Sequence, residues 1–161
     1  MIATDNLSFG YGYGRAELYD HFDLRLAEPG VYGVFGRNGS GKSTLLKLLA
    51  GLLFARRGSI AVAGFDPRRR HPDFLAQVTL VPEEFHLPNL TPLRLARTHA
   101  AFYPRFSHAR YGEYLAELEV PGTQPFDAMS LGQKKKAAVA FALATLTPVL
   151  LLDEPTNGLD P

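Results

Sequence analysis

A chain of 161 residues with 46% hydrophobic and 20% charged residues has the size and composition of one globular domain. Its 17 lysines and arginines nearly balance its 16 aspartates and glutamates, so no global field favours nucleic acid or an anionic membrane surface. With no cysteine, a disulfide framework and a thiolate metal site are excluded, and the start of the chain does not look like a signal peptide. The apolar stretches fall short of the roughly 20 residues that cross a bilayer, so a function at a membrane would need another chain to span it.

The first third of the chain predicts short strands followed by a loop and a helix. Polar and apolar positions alternate in short stretches of the first fifty residues, and Leu18, Phe22, Leu24 and Leu26 suggest a β-rich start, which glycines at 10, 12 and 14 interrupt. Residues 31–35 (VYGVF) are a β-prone run that enters a glycine-rich turn. From Lys42 onward the leucines have helical spacing. We expect a strand, a loop and a helix in that order.

The middle of the chain predicts two further strands and a helical region. Residues 58–63 (GSIAVA) and 77–81 (QVTLV) have the composition of strands. Residues 93–102 and 109–118 have helical patterns, and Pro104 separates them. We therefore expect a helical insert after the second of these strands.

The end of the chain predicts a long helix that leads into a buried strand. Ser130 stands at the head of an Ala- and Leu-rich segment that Pro148 closes. Val149–Leu152 is entirely apolar, as is typical of a strand in a parallel sheet, and Asp153 and Glu154 follow it directly.

Residues 36–44 (GRNGSGKST), hereafter the phosphate loop, match the pattern G-x-x-x-x-G-K-[ST] between a predicted strand and a predicted helix. Glycines let successive backbone N–H groups and a helix N-terminus approach the phosphates of ATP. Lys42 adds a positive charge, and Ser43 supplies a hydroxyl for the Mg²⁺ that bridges the phosphates. The residues expected to contact the nucleotide here are Gly36, Arg37, Asn38, Gly39, Ser40, Gly41, Lys42, Ser43 and Thr44.

Asp153 and Glu154 are two carboxylates at the end of an apolar strand, where desolvation is unfavourable unless a cation or proton compensates. Asp153 suits Mg²⁺ binding through a water, and Glu154 suits polarisation of the water that attacks the γ-phosphate. With Lys42, Glu154 forms the predicted catalytic set. The alternative is a pair of carboxylates that merely ends a strand, and the complete phosphate loop disfavours it.

Residues 129–133 (MSLGQ), hereafter the signature segment, resemble the LSGGQ signature of ABC transporter nucleotide-binding domains, and the resemblance extends over essentially the whole chain. It implies an α/β P-loop NTPase fold. In that fold a RecA-like parallel core sheet accompanies an N-terminal antiparallel β subdomain, and a helical subdomain at about residues 85–125 precedes the signature, all within a single domain of residues 1–161. It also implies that Ser130, Gly132 and Gln133 grip ATP held by a second such domain.

Two further segments match the family in the expected order. Residues 7–11 (LSFGY) are similar to the opening segment in which an aromatic ring stacks on adenine, so Tyr11 is the candidate and Tyr13 the runner-up. Ordinary packing of Tyr11 in a glycine-rich hairpin is the alternative. Residues 155–161 (PTNGLDP) resemble the loop after the carboxylate pair, which places Asp160 against the partner domain, although Asn-Gly is also a plain turn dipeptide.

The sequence departs from the family at three places. Glu83 occupies the position of a glutamine that senses Mg²⁺, where a carboxylate can bind the metal but cannot donate as an amide does. Leu131 replaces the first glycine of the signature. The family's next strand, with a histidine that contacts the γ-phosphate, would follow Pro161, and all five histidines precede Val149. We therefore expect a C-terminally incomplete version of a longer chain, with doubtful turnover by itself. The five are His21, His71, His86, His99 and His108.

The basic runs at residues 68–70 and 134–136 have the pattern of solvated faces, and no nucleic-acid partner is expected. The resemblance implies an ATPase subunit on the cytoplasmic face of a membrane, with a second ATP-binding domain and an integral membrane permease as partners. Alternatives are a soluble ABC-type ATPase of translation or DNA repair, and a generic P-loop kinase or GTPase. The last leaves the signature segment unexplained, and no Asn-Lys-x-Asp guanine reader appears.

Overall fold

The structure, a computed structural model, describes residues 1–12 and 16–157. Two β-sheets, five α-helices and three short 3₁₀ helices account for the regular structure of this part of the chain. The chain divides into two compact units, of which the first is Met1–Leu75 and the second begins at Ala76. Each unit has its own sheet.

The first unit is built on an antiparallel sheet with β1 (Ile2–Phe9) between β2 (Tyr19–Leu26) and β3 (Arg57–Val62). Helix α1 (Lys42–Leu49) contacts β3, and α2 (Pro72–Leu75) is a single short turn. These elements confirm the β-rich start, the helix after the phosphate loop and the strand at residues 58–63. The buried apolar side chains of the unit include Leu7, Phe9, Leu45, Leu48, Leu49, Ile60, Val62 and Phe74.

The prediction of a strand at residues 31–35 is wrong. This segment has no regular secondary structure, and the side chains of Val31 and Phe35 are almost completely exposed. A β-prone sequence becomes a strand only when a neighbouring strand binds its N–H and C=O groups and covers its side chains. Among the described residues, no strand pairs with this segment.

The second unit contains a parallel pair, β4 (Val78–Val81) and β5 (Val149–Leu152). The register is continuous from Val78, which pairs with Val149, to Val81, which pairs with Leu152, so the two strands end side by side. Helix α5 (Leu131–Ala144) precedes β5. These elements confirm the predicted long helix and the parallel strand that follows it.

Two capped helices fill the predicted helical region. Helix α3 (Pro92–His99) begins after Thr91, whose Oγ1 accepts the N–H of Arg94 at 3.2 Å. Helix α4 (His108–Glu117) begins after Ser107, which caps its N-terminus in the same way. Hydroxyl caps of this kind satisfy N–H groups that the first helical turn leaves without a backbone partner.

An aromatic cluster packs α4 against α5. The ring of Phe141 lies 5.1 Å from that of Phe106 and 5.8 Å from that of Tyr111. Tyr111 is only 1% exposed, and burial raises its pKa above the ordinary value for tyrosine. The C-terminal end of α5 is fixed to the sheet separately, because Oγ1 of Thr145 hydrogen-bonds Oγ1 of Thr79 on β4 at 3.1 Å.

Candidate functional site

The phosphate loop forms a tight turn on the surface of the first unit. The N–H of Ser40 donates to the carbonyl of Arg37 at 3.1 Å, which closes the turn. Gly39 and Gly41 have φ of 81° and 102°, backbone conformations that side chains with a Cβ rarely adopt. Residues 36–40 are exposed, so the loop presents its backbone to solvent.

The loop leads directly into the N-terminus of α1, and the donors there suit a phosphate chain. Gly41 is the N-cap residue and supplies no side-chain acceptor, and the first turn of α1 contains no acidic residue. Lys42 Nζ donates to the carbonyls of Gly36 at 3.0 Å and Arg37 at 3.4 Å, so the ammonium lies over the loop. A helix N-terminus with an adjacent ammonium is electrostatically complementary to an anion.

Tyr19 holds the end of the phosphate loop, a role that the sequence did not reveal. Its Oη donates to the carbonyl of Gly41 at 2.7 Å. A Cβ at Gly41 would lie 2.6 Å from the same oxygen, so the contact requires glycine. Burial raises the pKa of Tyr19, and the hydroxyl stays protonated as a donor at neutral pH. No local pattern marks this tyrosine, since its partner lies 22 residues away.

Tyr11 lies beside the first turn of α1. Its Oη forms a 2.9 Å hydrogen bond with Oγ1 of Thr44, and its ring meets that of Phe9 edge to face at 5.0 Å. The side chain is nevertheless 49% exposed, which leaves ring surface available. Stacking on adenine therefore stays a prediction for Tyr11, and Tyr13 lies outside the described residues.

In the second unit, the two carboxylates follow β5 and differ in burial. Asp153 is 4% exposed, and its N–H donates to the carbonyl of Val81 at 2.9 Å, which extends the pairing of β5 with β4 by one residue. Glu154 is exposed and has a φ of 46°. The backbone therefore turns sharply at the residue predicted to polarise water.

Glu83 contacts the turn that contains these carboxylates. Residues 153–157 form this turn, hereafter the Glu154 turn, in which the N–H of Asn157 donates to the carbonyl of Glu154 at 3.1 Å. Asn157 Nδ2 donates to Oε1 of Glu83 at 2.9 Å. Among the described residues, no group of three or more His, Cys, Asp or Glu side chains is arranged to hold a metal ion. The Mg²⁺ roles predicted for Ser43, Asp153 and Glu83 stay predictions.

The interpretation of residues 134–136 as a solvated face is wrong for the middle lysine. Lys135 is 3% exposed, and its Nζ donates to the carbonyls of Glu154 at 2.5 Å and Asn157 at 2.9 Å. Lys134 and Lys136 are only partly buried. The ammonium is tolerated in the interior because two carbonyl groups accept its hydrogen bonds.

The signature segment begins helix α5 with a reciprocal cap. Ser130 Oγ accepts the N–H of Gln133 at 3.2 Å, and Oε1 of Gln133 accepts the N–H of Ser130 at 3.1 Å. The hydroxyl proton of Ser130 is still available as a donor. Leu131 is 67% exposed and Gly132 is partly exposed, so the segment is accessible from solvent.

Each unit thus assembles part of the predicted site. The first unit brings Tyr11 to the helix that follows the phosphate loop, and the second brings Glu83 and the signature helix to the Glu154 turn. Asp160 lies outside the described residues.

No helix in the described part of the chain has the length and apolar character needed to traverse a bilayer.

Comparison with known proteins places these features in one family. The family described as "ABC transporter" matches residues 19–157. The chain is 30% identical to the ABC transporter ATP-binding protein YtrB of Bacillus subtilis (85% of this chain, 47% of the relative). It is also 30% identical to the bacitracin transport ATP-binding protein BcrA of Bacillus licheniformis (100% of this chain, 53% of the relative). The chain thus spans about half the length of these two relatives.

A solved structure supports the same assignment. A dimeric post-hydrolysis state of an ATP-binding cassette bound to ADP and Pi superposes with a TM-score of 0.83 at 25% identity. The match covers 99% of this chain and 76% of that one. The predicted P-loop NTPase fold is confirmed. The exposed phosphate loop and the capped signature helix agree with the family match, and the chain belongs to the ABC transporter ATP-binding family.

Proposed function

We propose that this chain is the ATP-binding and ATP-hydrolysing subunit of an ABC transporter. The observation that carries the proposal is the phosphate loop, whose glycines at positive φ lead into a helix N-terminus with Lys42 Nζ 3.0 Å from the carbonyl of Gly36. The relatives YtrB and BcrA are named as ATP-binding proteins of transporters, which supports the same role.

In this proposal the first unit binds the nucleotide. Backbone N–H groups of the phosphate loop and Lys42 neutralise the phosphates. The exposed ring surface of Tyr11 is offered to adenine. When bound, Mg²⁺ would neutralise charge that develops on the phosphates, and Ser43, Asp153 and Glu83 would hold it.

The second unit carries the groups that we propose for ATP hydrolysis and for contact with a second ATP-binding domain. Glu154 is exposed at the end of an otherwise buried strand, where its carboxylate can accept a proton from an attacking water. Ser130, Gly132 and Gln133 lie at a helix N-terminus and would contact ATP held by a second copy or a related domain. We place Asp160 in the same interface, as the family resemblance implies.

The remaining partner is a membrane-spanning permease. Residues 85–125 are proposed as the helical subdomain, within which α3 and α4 lie. Docking on a permease would place the chain at the cytoplasmic face of a membrane.

Nucleotide titration tests the proposal. Lys42→Ala should abolish binding of a fluorescent Mg-ATP analogue, because it removes the ammonium from the phosphate loop. Lys47→Ala is the matched control, since Lys47 lies on the same helix and is partly buried like Lys42. Unchanged binding in Lys42→Ala would overturn the assignment.

A further inference from the structure

Lys135 is a buried cation that the proposed nucleotide chemistry does not use. Its ammonium belongs to α5, yet both of its acceptors are carbonyls of the Glu154 turn. Burial of an ammonium is unfavourable unless its donors are well satisfied. The position of this lysine therefore reflects bonds to the turn, and the family resemblance assigned it no role.

The Glu154 turn needs such support because its backbone is strained. Glu154 has a φ of 46°, in the left-handed region that is unfavourable for any residue with a Cβ. It also precedes Pro155, and the residue before a proline prefers an extended conformation. A conformation of this kind persists only where surrounding contacts hold it.

Two of the contacts that hold this conformation meet at the carbonyl of Glu154. The carbonyl oxygen of Glu154 accepts from Lys135 Nζ at 2.5 Å and from the N–H of Asn157 at 3.1 Å. The second Lys135 bond, to the carbonyl of Asn157, closes the turn from the other side. This backbone conformation sets the direction of the Cα–Cβ bond of Glu154, from which the carboxylate extends.

Helix α5, which carries that lysine, is anchored by hydrogen bonds at both of its ends. The Ser130–Gln133 cap fixes its first turn, and Thr145 fixes its C-terminal end to β4. We propose that Lys135 is a positioning residue, which holds the strained backbone of Glu154 from helix α5 and thereby orients the Glu154 carboxylate for ATP hydrolysis. The functional part of this inference rests on the proposed function.

Backbone hydrogen exchange in the 161-residue chain tests the holding role directly. Lys135→Met keeps an unbranched side chain that is one atom shorter and removes its donors. Exchange of the Asn157 N–H should accelerate about 10- to 100-fold, the factor that corresponds to a hydrogen bond from a charged donor. Lys135→Arg, which keeps the charge and the donors, should retain most of the protection. Lys134→Met is the matched control and should leave exchange at the turn unchanged.

Steady-state kinetics of the same variants test the orienting role. Lys135→Met should lower kcat on the order of 10²-fold, the effect of a small misplacement of a catalytic group, and leave KM for Mg-ATP unchanged. Lys135→Arg should recover most of kcat. If Lys135 only filled space, Lys135→Met would not accelerate exchange at Asn157 and would not lower kcat while leaving KM unchanged.

The outcomes separate this inference from the proposed function. Should the wild-type chain bind no Mg-ATP, the proposed function fails. Should it bind Mg-ATP without measurable turnover, the kinetic comparison is replaced by the exchange measurement. In both cases exchange at the Glu154 turn decides whether Lys135 holds it. Unchanged exchange in Lys135→Met overturns the inference, and so does accelerated exchange with unchanged kcat.

If Lys135→Met does not fold, ¹⁵N-lysine spectra of the wild-type chain replace it. They should show one ammonium signal protected from exchange, which Lys135→Arg removes and Lys134→Arg keeps. A Lys135 signal that exchanges as fast as that of Lys134 overturns the inference.

Discussion

Replacement of Gly41 by alanine should damage the phosphate loop more than the same change at Gly39. Both glycines have positive φ, 102° and 81°, so each alanine would carry backbone strain of about 1–3 kcal/mol. The two positions differ in their surroundings. A Cβ at Gly39 would meet nothing within 4 Å, whereas one at Gly41 would lie 2.6 Å from Tyr19 Oη. Overpacking of that kind adds about 1–3 kcal/mol.

Urea denaturation and Mg-ATP titration of both variants measure the difference. Gly41→Ala should lose about 1–3 kcal/mol more unfolding free energy than Gly39→Ala. The double variant Gly41→Ala/Tyr19→Phe should recover part of that loss, because the nearest atom is removed while the ring carbon at 3.0 Å remains. Equal stability of Gly41→Ala and Gly39→Ala would refute the reasoning that Tyr19 packs against the loop.

Three further predictions concern the second unit. Glu154→Gln should retain Mg-ATP binding and lower the hydrolysis rate by about 10²- to 10⁴-fold in a steady-state assay. A hydrolysis rate of the variant equal to that of the wild type would contradict the role of Glu154. Ser130→Ala should cost about 1 kcal/mol of unfolding free energy, because it removes half of the reciprocal cap, and an unchanged denaturation midpoint would contradict it. The raised pKa of Tyr111 means that its burial stabilises the fold below the ordinary tyrosine pKa near 10 and that this contribution declines as pH rises above it. Tyr111→Phe should flatten the alkaline loss of stability in pH-dependent denaturation, and an unchanged slope would be evidence against the assignment.

The sequence predicted those elements whose signals are local. Ser130 at the head of an Ala- and Leu-rich segment indicated the start of α5, and the apolar run at Val149–Leu152 indicated a strand in a parallel pair. The glycine spacing around Lys42 indicated the phosphate loop and the helix behind it. These features depend on neighbours within a few residues, so a single sequence is enough to find them.

The errors and omissions depend on distant partners. Residues 31–35 have strand propensity, but propensity does not supply a strand to pair with. Lys135 was one of three consecutive lysines, and nothing local distinguishes the one whose acceptors lie 19 and 22 residues away. The contact between Asn157 and Glu83 joins residues 74 positions apart. Such pairs become visible only when the backbone is folded.

Because β4 and β5 end side by side, a change in chain length is tolerated less well next to β5 than between α3 and α4. Side chains of a strand alternate between its two faces, so adding one residue between α5 and β5 would exchange the environments of buried Asp153 and exposed Glu154 if the pairing shifted to accommodate it. By contrast, α3 and α4 belong to the helical segment that connects β4 to α5, so an insertion between these two helices leaves the pairing of β4 with β5 unchanged. Homologous chains should therefore vary in length there and keep the short connection into β5 constant.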